Sequence, residues 1–273
     1  MNVFILMLKK KVPGYIRFLK NCYVCKRKSK KLLSRRMEVF NNQKKEGLDS
    51  IPIFLISFNR VSFIRSMIHC LEKIGKTNIV IIDNASTYPP LLDYYKTLPY
   101  KIIRLKENGG YRVFWENPIF EEYRKNFYIV SDPDVEPIEE CPEDFVEKFF
   151  DILYKYPMAR KVGFSLKIDD LPSNGIFTEQ VVKWEKRYYK TFIKKDQIYY
   201  ADVDTTFALY VPDDLVVSGF REAFRTAYPY QARHVPWYKV SDDITDEDRY
   251  YFEHKTNGWW NVVAGQMTPD KEK

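Results

Sequence analysis

Residues 53–83 read IFLISFNRVSFIRSMIHCLEKIGKTNIVIID. The stretch opens and closes on unbroken apolar runs, Ile53–Ser57 and Ile79–Ile82, and between them Val61, Ile64, Met67, Ile68, Leu71 and Ile74 recur at helical spacing. Short apolar runs without polar alternation fit strands buried on both faces, the habit of parallel sheets. The order strand, helix, strand therefore predicts a βαβ unit.

Two further runs extend the pattern, 102-IIRL and 127-FYIVS, and the run starts at 53, 79, 102 and 127 leave room each time for a crossover helix. Downstream, a helix is expected near Pro142–Tyr154, a fifth strand at 162-VGFSL, a helical centre around Val181–Tyr189 and a strand at 205-TTFALYV. Alternation of this kind specifies an α/β fold, a mainly parallel sheet flanked by helices. Beyond Ser218 the aromatic and acidic composition fits a substrate-facing segment better than sheet. No internal repeat is present.

The whole chain of 273 residues has 45% hydrophobic and 30% charged residues, which excludes wholesale disorder. Four cysteines cannot build a disulfide scaffold, and their sparse use fits a reducing, cytoplasmic setting. The net charge of +7 is uneven: residues 1–45 hold 14 Lys and Arg against the single acid Glu38, while the rest holds 30 basic and 36 acidic residues. A basic arm, 1–48, is thus expected to precede a slightly acidic domain, 49–273. That domain is expected to divide into two halves, 51–140 and 141–273.

The apolar run Val3–Leu8 is far shorter than the roughly 20 residues a membrane span needs. Phe4, Leu8, Tyr15, Phe18, Leu19 and Tyr23 interleave with Lys9, Lys10, Lys11, Arg17, Lys20 and Arg27, a mixture suited to the interface of an anionic leaflet at the inner face of the cell membrane. A solvated tail is the alternative, and Pro13 and Gly14 interrupt a continuous helix. A nucleic-acid arm ranks last, because the domain offers no basic groove. Cys22 and Cys25 form a lone C-x-x-C without two further ligands at zinc spacing.

In an α/β sheet, ligands bind beyond the carboxyl ends of the strands. Those ends read Ser57-Phe58-Asn59-Arg60, Asp83-Asn84, Asn108-Gly109-Gly110 and Asp132-Pro133-Asp134. Two carboxylates at i and i+2, linked by proline, can present oxygens to a hard cation that bridges a diphosphate, although a strand-end turn would use the same residues.

The ordered segments 53-IFLISFNR, 79-IVIIDNAST, 102-IIRLKENGGYRVF and 128-YIVSDPDVEP resemble the GT-A glycosyltransferases, Rossmann-like enzymes, especially the family 2 type of bacterial surface-polysaccharide assembly. The later stretches 163-GFSLKIDDLP, 204-DTTFALY and 233-RHVPWY look similar to a narrower subset of bacterial glycosyltransferases. The resemblance implies a sugar transferred from a nucleotide-sugar donor to a glycan or lipid-linked acceptor, with Mn²⁺ or Mg²⁺ as cofactor. It implies base contacts from Phe58, Asn59 and Asp83, and metal and diphosphate binding by Asp132 and Asp134. Asn108, Gly109 and Gly110 would let backbone approach the nucleotide, and Arg112 would reach the phosphates.

A late histidine as a further metal ligand is implied at His234, whose alternative is packing against Trp237. His69 and His254 are expected to be structural. The family's usual Glu-Asp pair for the general base is missing: the corresponding stretch, Gly219–Tyr230, holds only Glu222. Asp204, Asp243 with its neighbour Asp242, and the pair Asp169-Asp170 are the candidates for that base. Two other readings stay open: a membrane-attached nucleotide-binding scaffold without turnover, and a sugar-phosphate nucleotidyltransferase. The second lacks its glycine-rich loop after the first strand.

Overall fold

The computed structural model describes residues 14–28, 30–176, 178–204, 206–216, 222–240, 244–255, 260–263 and 266–269. Two helices, α1 (Gly14–Lys28) and α2 (Lys30–Glu46), precede the first strand. Then β1 (Ile53–Ser57), α3 (Val61–Lys73) and β2 (Ile79–Asp83) form the expected βαβ unit, with Ile53 opposite Ile79 and Ser57 opposite Asp83 in parallel register. After α4 (Pro89–Tyr95), β3 (Lys101–Arg104) adds parallel to β2 as the exposed edge. Two short helices, α5 (Val113–Glu116) and α6 (Ile119–Tyr123), lead to β4 (Tyr128–Ser131), which pairs in parallel with the other side of β1.

The second half continues the same sheet. A short β5 (Val135–Pro137) follows, then α7 (Phe145–Lys155), β6 (Ala159–Leu166) and α8 (Thr178–Glu185). The small strands β7 (Phe192–Ile193), β8 (Ile198–Tyr200) and β9 (Ala208–Tyr210) come before the long β10 (Glu222–His234). The order is β3-β2-β1-β4-β9-β6-β10-β8-β7, with β5 pairing onto β10. β9 runs antiparallel between β4 and β6, and β10 runs parallel to β6. The protein is therefore α/β, with a mixed, mostly parallel central sheet flanked by helices, and both halves expected from the sequence share that sheet. After β10 come α9 (Asp246–His254) and the hairpin β11 (Trp260–Val263) with β12 (Gln266–Pro269).

Alternate residues of the central strands feed two apolar layers, as the two-residue period of a strand requires. Ile53 and Leu55 face the larger core with α3, α7, Phe40 and Phe18, whereas Phe54 and Ile56 pack against Val113, Phe114 and Tyr128.

Two expectations need correction. The region beyond Ser218 contains the sheet's longest strand. Its sequence, EAFRTAYPYQARH, hides this because polar residues are buried in matched pairs: Arg225 on Glu185, Thr226 on the Tyr230 carbonyl, and Gln231 on Ser165. Pro229 lies where the pairing with β6 shifts between Thr226 and Gln231, so it blocks no ladder bond. Likewise, residues 14–46 are not a detached arm. Phe18, Cys25 and Phe40 enter the main core, and the buried Arg36 donates to the Leu153 and Leu215 carbonyls while lying over the Phe40 ring. Burial pushes the Arg36 guanidinium down to about 10.

Candidate functional site

Strand order reverses between β1 and β4, since β2 and β3 lie on one side of β1 and the rest of the sheet on the other. At such a switch point the loops part and leave a crevice at the carboxyl ends. Ser57–Arg60 closes β1 there, and Asp132-Pro133-Asp134 closes β4. The chain then turns into β5, which pairs antiparallel with the end of β10 and sets Val135 opposite His234. The Val235 amide donates to the Asp134 carbonyl at 2.9 Å. As a result the Asp134 Oδ2 and His234 Nε2 atoms are 3.5 Å apart.

The remaining polar atoms of this pair, Asp134 Oδ1 and His234 Nδ1, are buried without a hydrogen-bond partner. Burial pushes the His234 imidazole below its ordinary pKa, against the attraction of Asp134, and Arg60 pushes it the same way. A neutral ring with an available lone pair is the metal-binding form of histidine. The ring also rests on Trp237, centroids 4.7 Å apart, so packing and ligation are compatible here. Among the described residues no group of three or more His, Cys, Asp or Glu side chains gathers as a ready cage. Asp134 and His234 fit a cation whose other ligands are phosphate oxygens and water, the usual arrangement for Mg²⁺ or Mn²⁺ at a diphosphate.

Asp204 reaches the same edge because β9 is antiparallel to β4, which brings the residues preceding β9 to the carboxyl end of β4. It is exposed, and its charge acts on both His234 and Lys161. Its loop is gripped from below. Arg225 Nε donates to the Asp202 carbonyl at 2.6 Å, Lys161 Nζ donates to the Val203 carbonyl, and Arg225 Nη1 lies 3.1 Å from both Glu185 oxygens.

Other candidates for the base do not converge on the crevice. Asp170 accepts from Arg233 and from the Tyr238 hydroxyl at 2.7 Å, and Asp169 pairs with Lys167 at 2.8 Å. Glu222 begins β10 at the opposite edge, where it accepts from Asn21 and Tyr200. Asp242 and Asp243 lie outside the described residues.

The residues expected to face a nucleotide form a braced set of loops. Asn59 adopts φ of +50°, in the left-handed region that asparagine tolerates. Its Oδ1 accepts from the Thr87 and Tyr88 amides at 2.7 and 3.0 Å, which ties the loop after β1 to the loop after β2. Asp83 is fully buried, and both of its oxygens are engaged: Oδ2 by Arg104 Nε at 2.9 Å, Oδ1 by the Ser86 amide at 3.2 Å and the Tyr95 hydroxyl at 3.4 Å. In the structure Asp83 thus braces the loop after β2 against β3 and α4. Asn108 Oδ1 accepts from the Gly110 amide at 2.8 Å, and Gly110 has φ of +74°. A Cβ on Gly109 would stand 2.8 Å from Val113 Cγ2. Arg112 is exposed and paired with Glu116 at 3.1 Å.

Sequence reasoning missed several residues that shape the crevice. Asn84 clamps the glycine loop, accepting from the Gly109 amide at 2.9 Å and donating to the Gly110 carbonyl at 3.1 Å. Arg60 is buried against Asp248 at 3.0 Å and under the Tyr251 ring at 4.1 Å. Glu247 accepts from the Val61 and Ser62 amides, and so caps the N-terminus of α3 from a helix nearly two hundred positions later in the chain. Tyr251 rests edge-on against Phe58, and burial raises its phenol, helped by the charges of Asp134 and Asp132 despite Arg60. One signal for α9 was legible: Thr245 three residues before Asp248 forms a reciprocal capping box.

No protein-family model and no curated protein matches the chain. None of the described helices is long and apolar enough to cross a membrane.

Proposed function

We propose that the protein is a metal-dependent GT-A glycosyltransferase that moves a sugar from a nucleotide-sugar donor to a glycan or lipid-linked acceptor in surface-polysaccharide synthesis. The observation that carries this reading is the meeting of Asp134 with His234 at the β1/β4 switch point, with two buried polar atoms left unpartnered. Asp134 and His234, with Asp132 beside them, would hold Mn²⁺ or Mg²⁺, which when bound neutralises the charge that grows on the departing diphosphate.

The chain's own residues supply the rest. Phe58 and Tyr251 wall the crevice, and the loop held by Asn84 offers the backbone of Gly109 and Gly110 to the nucleotide. Asp204, exposed at the same edge with its charge acting on His234, takes the proton from the acceptor hydroxyl. The rigid grip of Arg225 and Lys161 on its loop keeps that carboxylate in place. The nucleotidyltransferase alternative loses ground, because such an enzyme would cradle phosphates on the helix after the first strand, and Glu247 occupies the first amides of α3.

The test is donor hydrolysis and transfer across a panel of nucleotide sugars, with and without Mn²⁺, for the wild type, Asp134→Asn and Asp204→Asn. Metal-dependent turnover lost in both variants supports the reading. Nucleotide binding without hydrolysis or transfer for any donor would leave the scaffold reading in its place.

A further inference from the structure

We propose that the outer face of α1 docks the protein on an anionic lipid bilayer. Nine large apolar side chains are exposed among the described residues, and four of them, Tyr15, Ile16, Leu19 and Tyr23, belong to α1. No other element carries more than one. Their spacing is helical, so they make one stripe rather than scattered exposure.

The opposite face of the same helix is fixed in place. Phe18 meets the rings of Tyr156, Tyr200 and Phe224, Cys25 is buried, and Asn21 donates to the Tyr200 hydroxyl and to Glu222 at 3.0 Å. The stripe is therefore presented by a docked helix, and it stays exposed after the domain has folded around it. Charge identifies the occupant. The helix contains Arg17, Lys20, Lys26, Arg27 and Lys28 and no acid, with three more lysines and the apolar run Val3–Leu8 preceding it in sequence. Tyrosines beside isoleucine and leucine, bordered by exposed Lys20 and Arg17, match the headgroup layer of an anionic leaflet, where aromatic rings and cations are both favoured. A nucleic acid would use the cations and leave Ile16 and Leu19 in water.

Placement gives the surface a consequence. Phe18 and Asn21 touch Glu222, Phe224 and Tyr200, at the amino ends of β10 and β6, and the crevice lies at the carboxyl ends. Docking through α1 therefore engages the end of the sheet opposite the crevice. The inference stands whether or not the protein transfers sugars.

The experiment is flotation of the full chain with vesicles of phosphatidylcholine containing about one third phosphatidylglycerol, compared with phosphatidylcholine alone. Wild type is expected to partition at least about tenfold better to the anionic vesicles, and less well as salt rises. The double variant Ile16→Ser with Leu19→Ser should lose at least about tenfold in partitioning at a melting temperature close to wild type, because both side chains are already exposed. Lys20→Glu should weaken binding too, and Tyr228→Ser, an exposed tyrosine on β10, should leave it intact. Equal binding by the double variant and wild type overturns the proposal. So does loss of self-association, or of binding to an RNA oligonucleotide, in the double variant without loss of vesicle binding.

Discussion

Asp134 and His234 come from distant parts of the chain, and their side chains meet at 3.5 Å because β5 folds back onto the end of β10. On the proposed function, a cation held there would act on the leaving diphosphate, whose charge is greater in the transition state than in the bound donor. Asp134→Asn keeps the volume and removes the charge. It is expected to lower kcat by at least about a hundredfold, with a smaller loss of donor affinity, and chelator should abolish wild-type activity until Mn²⁺ or Mg²⁺ returns. Turnover by the variant at saturating donor and metal, measured against wild type, checks this. Near-normal turnover would reduce the carboxylates to a strand-end turn.

Asp83 carries a second prediction. Its carboxylate is fully buried and satisfied by Arg104, Ser86 and Tyr95, so removing it leaves three donors without their acceptor. Asp83→Ala should cost about 1–3 kcal/mol in denaturant unfolding, the scale of a lost buried acceptor. It should also weaken nucleoside diphosphate binding in chelator, because the loop it braces adjoins Asn59 and Asn84. Full stability together with weakened binding would instead mean that Asp83 meets the base directly.

A third prediction concerns the grip on the Asp204 loop. Arg225 and Glu185 are almost completely buried, and their two 3.1 Å contacts offset part of the desolvation, which still holds the Glu185 carboxyl above its ordinary range. Arg225→Ala would strand the Glu185 carboxylate and is expected to destabilise by about 3–5 kcal/mol. Glu185→Gln keeps a hydrogen-bonding partner and should cost less. If the loop matters for the acceptor, Glu185→Gln should lower transfer more than donor hydrolysis. Equal unfolding midpoints for Arg225→Ala and wild type would show that the pair contributes nothing.

The first half of the sheet is legible in the sequence, and much of the second is not. Ile53–Ser57 and Ile79–Asp83 are buried on both faces, and nothing polar breaks their runs, so the unbroken apolar stretches mark them as strands. The strand Glu222–His234 is buried over 223–227 and 231–232, but Arg225, Thr226 and Gln231 find partners only in three dimensions, and a polar sequence conceals a core strand. Phe18, Cys25 and Phe40 were masked in the same way, by the lysines and arginines around them. The D-x-D and His234 were both noticed, yet their adjacency depends on the β5–β10 pairing, which no local pattern encodes. Arg60, Asn84 and Glu247 act through long-range contacts and carried no local signal of their role.

The docking of α9 over the crevice supplies the last prediction. Asp248 lies at its first turn, and burial raises its carboxyl, but the Lys239 hydrogen bond, the Thr245 amide and Arg60 together hold it below the ordinary 3.8. A carboxylate with a depressed folded pKa contributes stability that is fully present above its unfolded pKa and is lost as pH falls through the folded one. Acidification below 3.8 should therefore loosen α9 and, with it, the Glu247 contacts to the Val61 and Ser62 amides. Hydrogen exchange at those two amides reads this directly. They should be protected at neutral pH and lose protection as pH drops through the acid range, after correction for the intrinsic exchange rate. Asp248→Asn should expose them at neutral pH, because a neutral amide cannot hold Arg60 and Lys239 as a carboxylate does. Unchanged protection in that variant would mean that Glu247 and the ring contacts of Tyr250 with Tyr88 and of Tyr251 with Phe58 are enough to keep the helix in place.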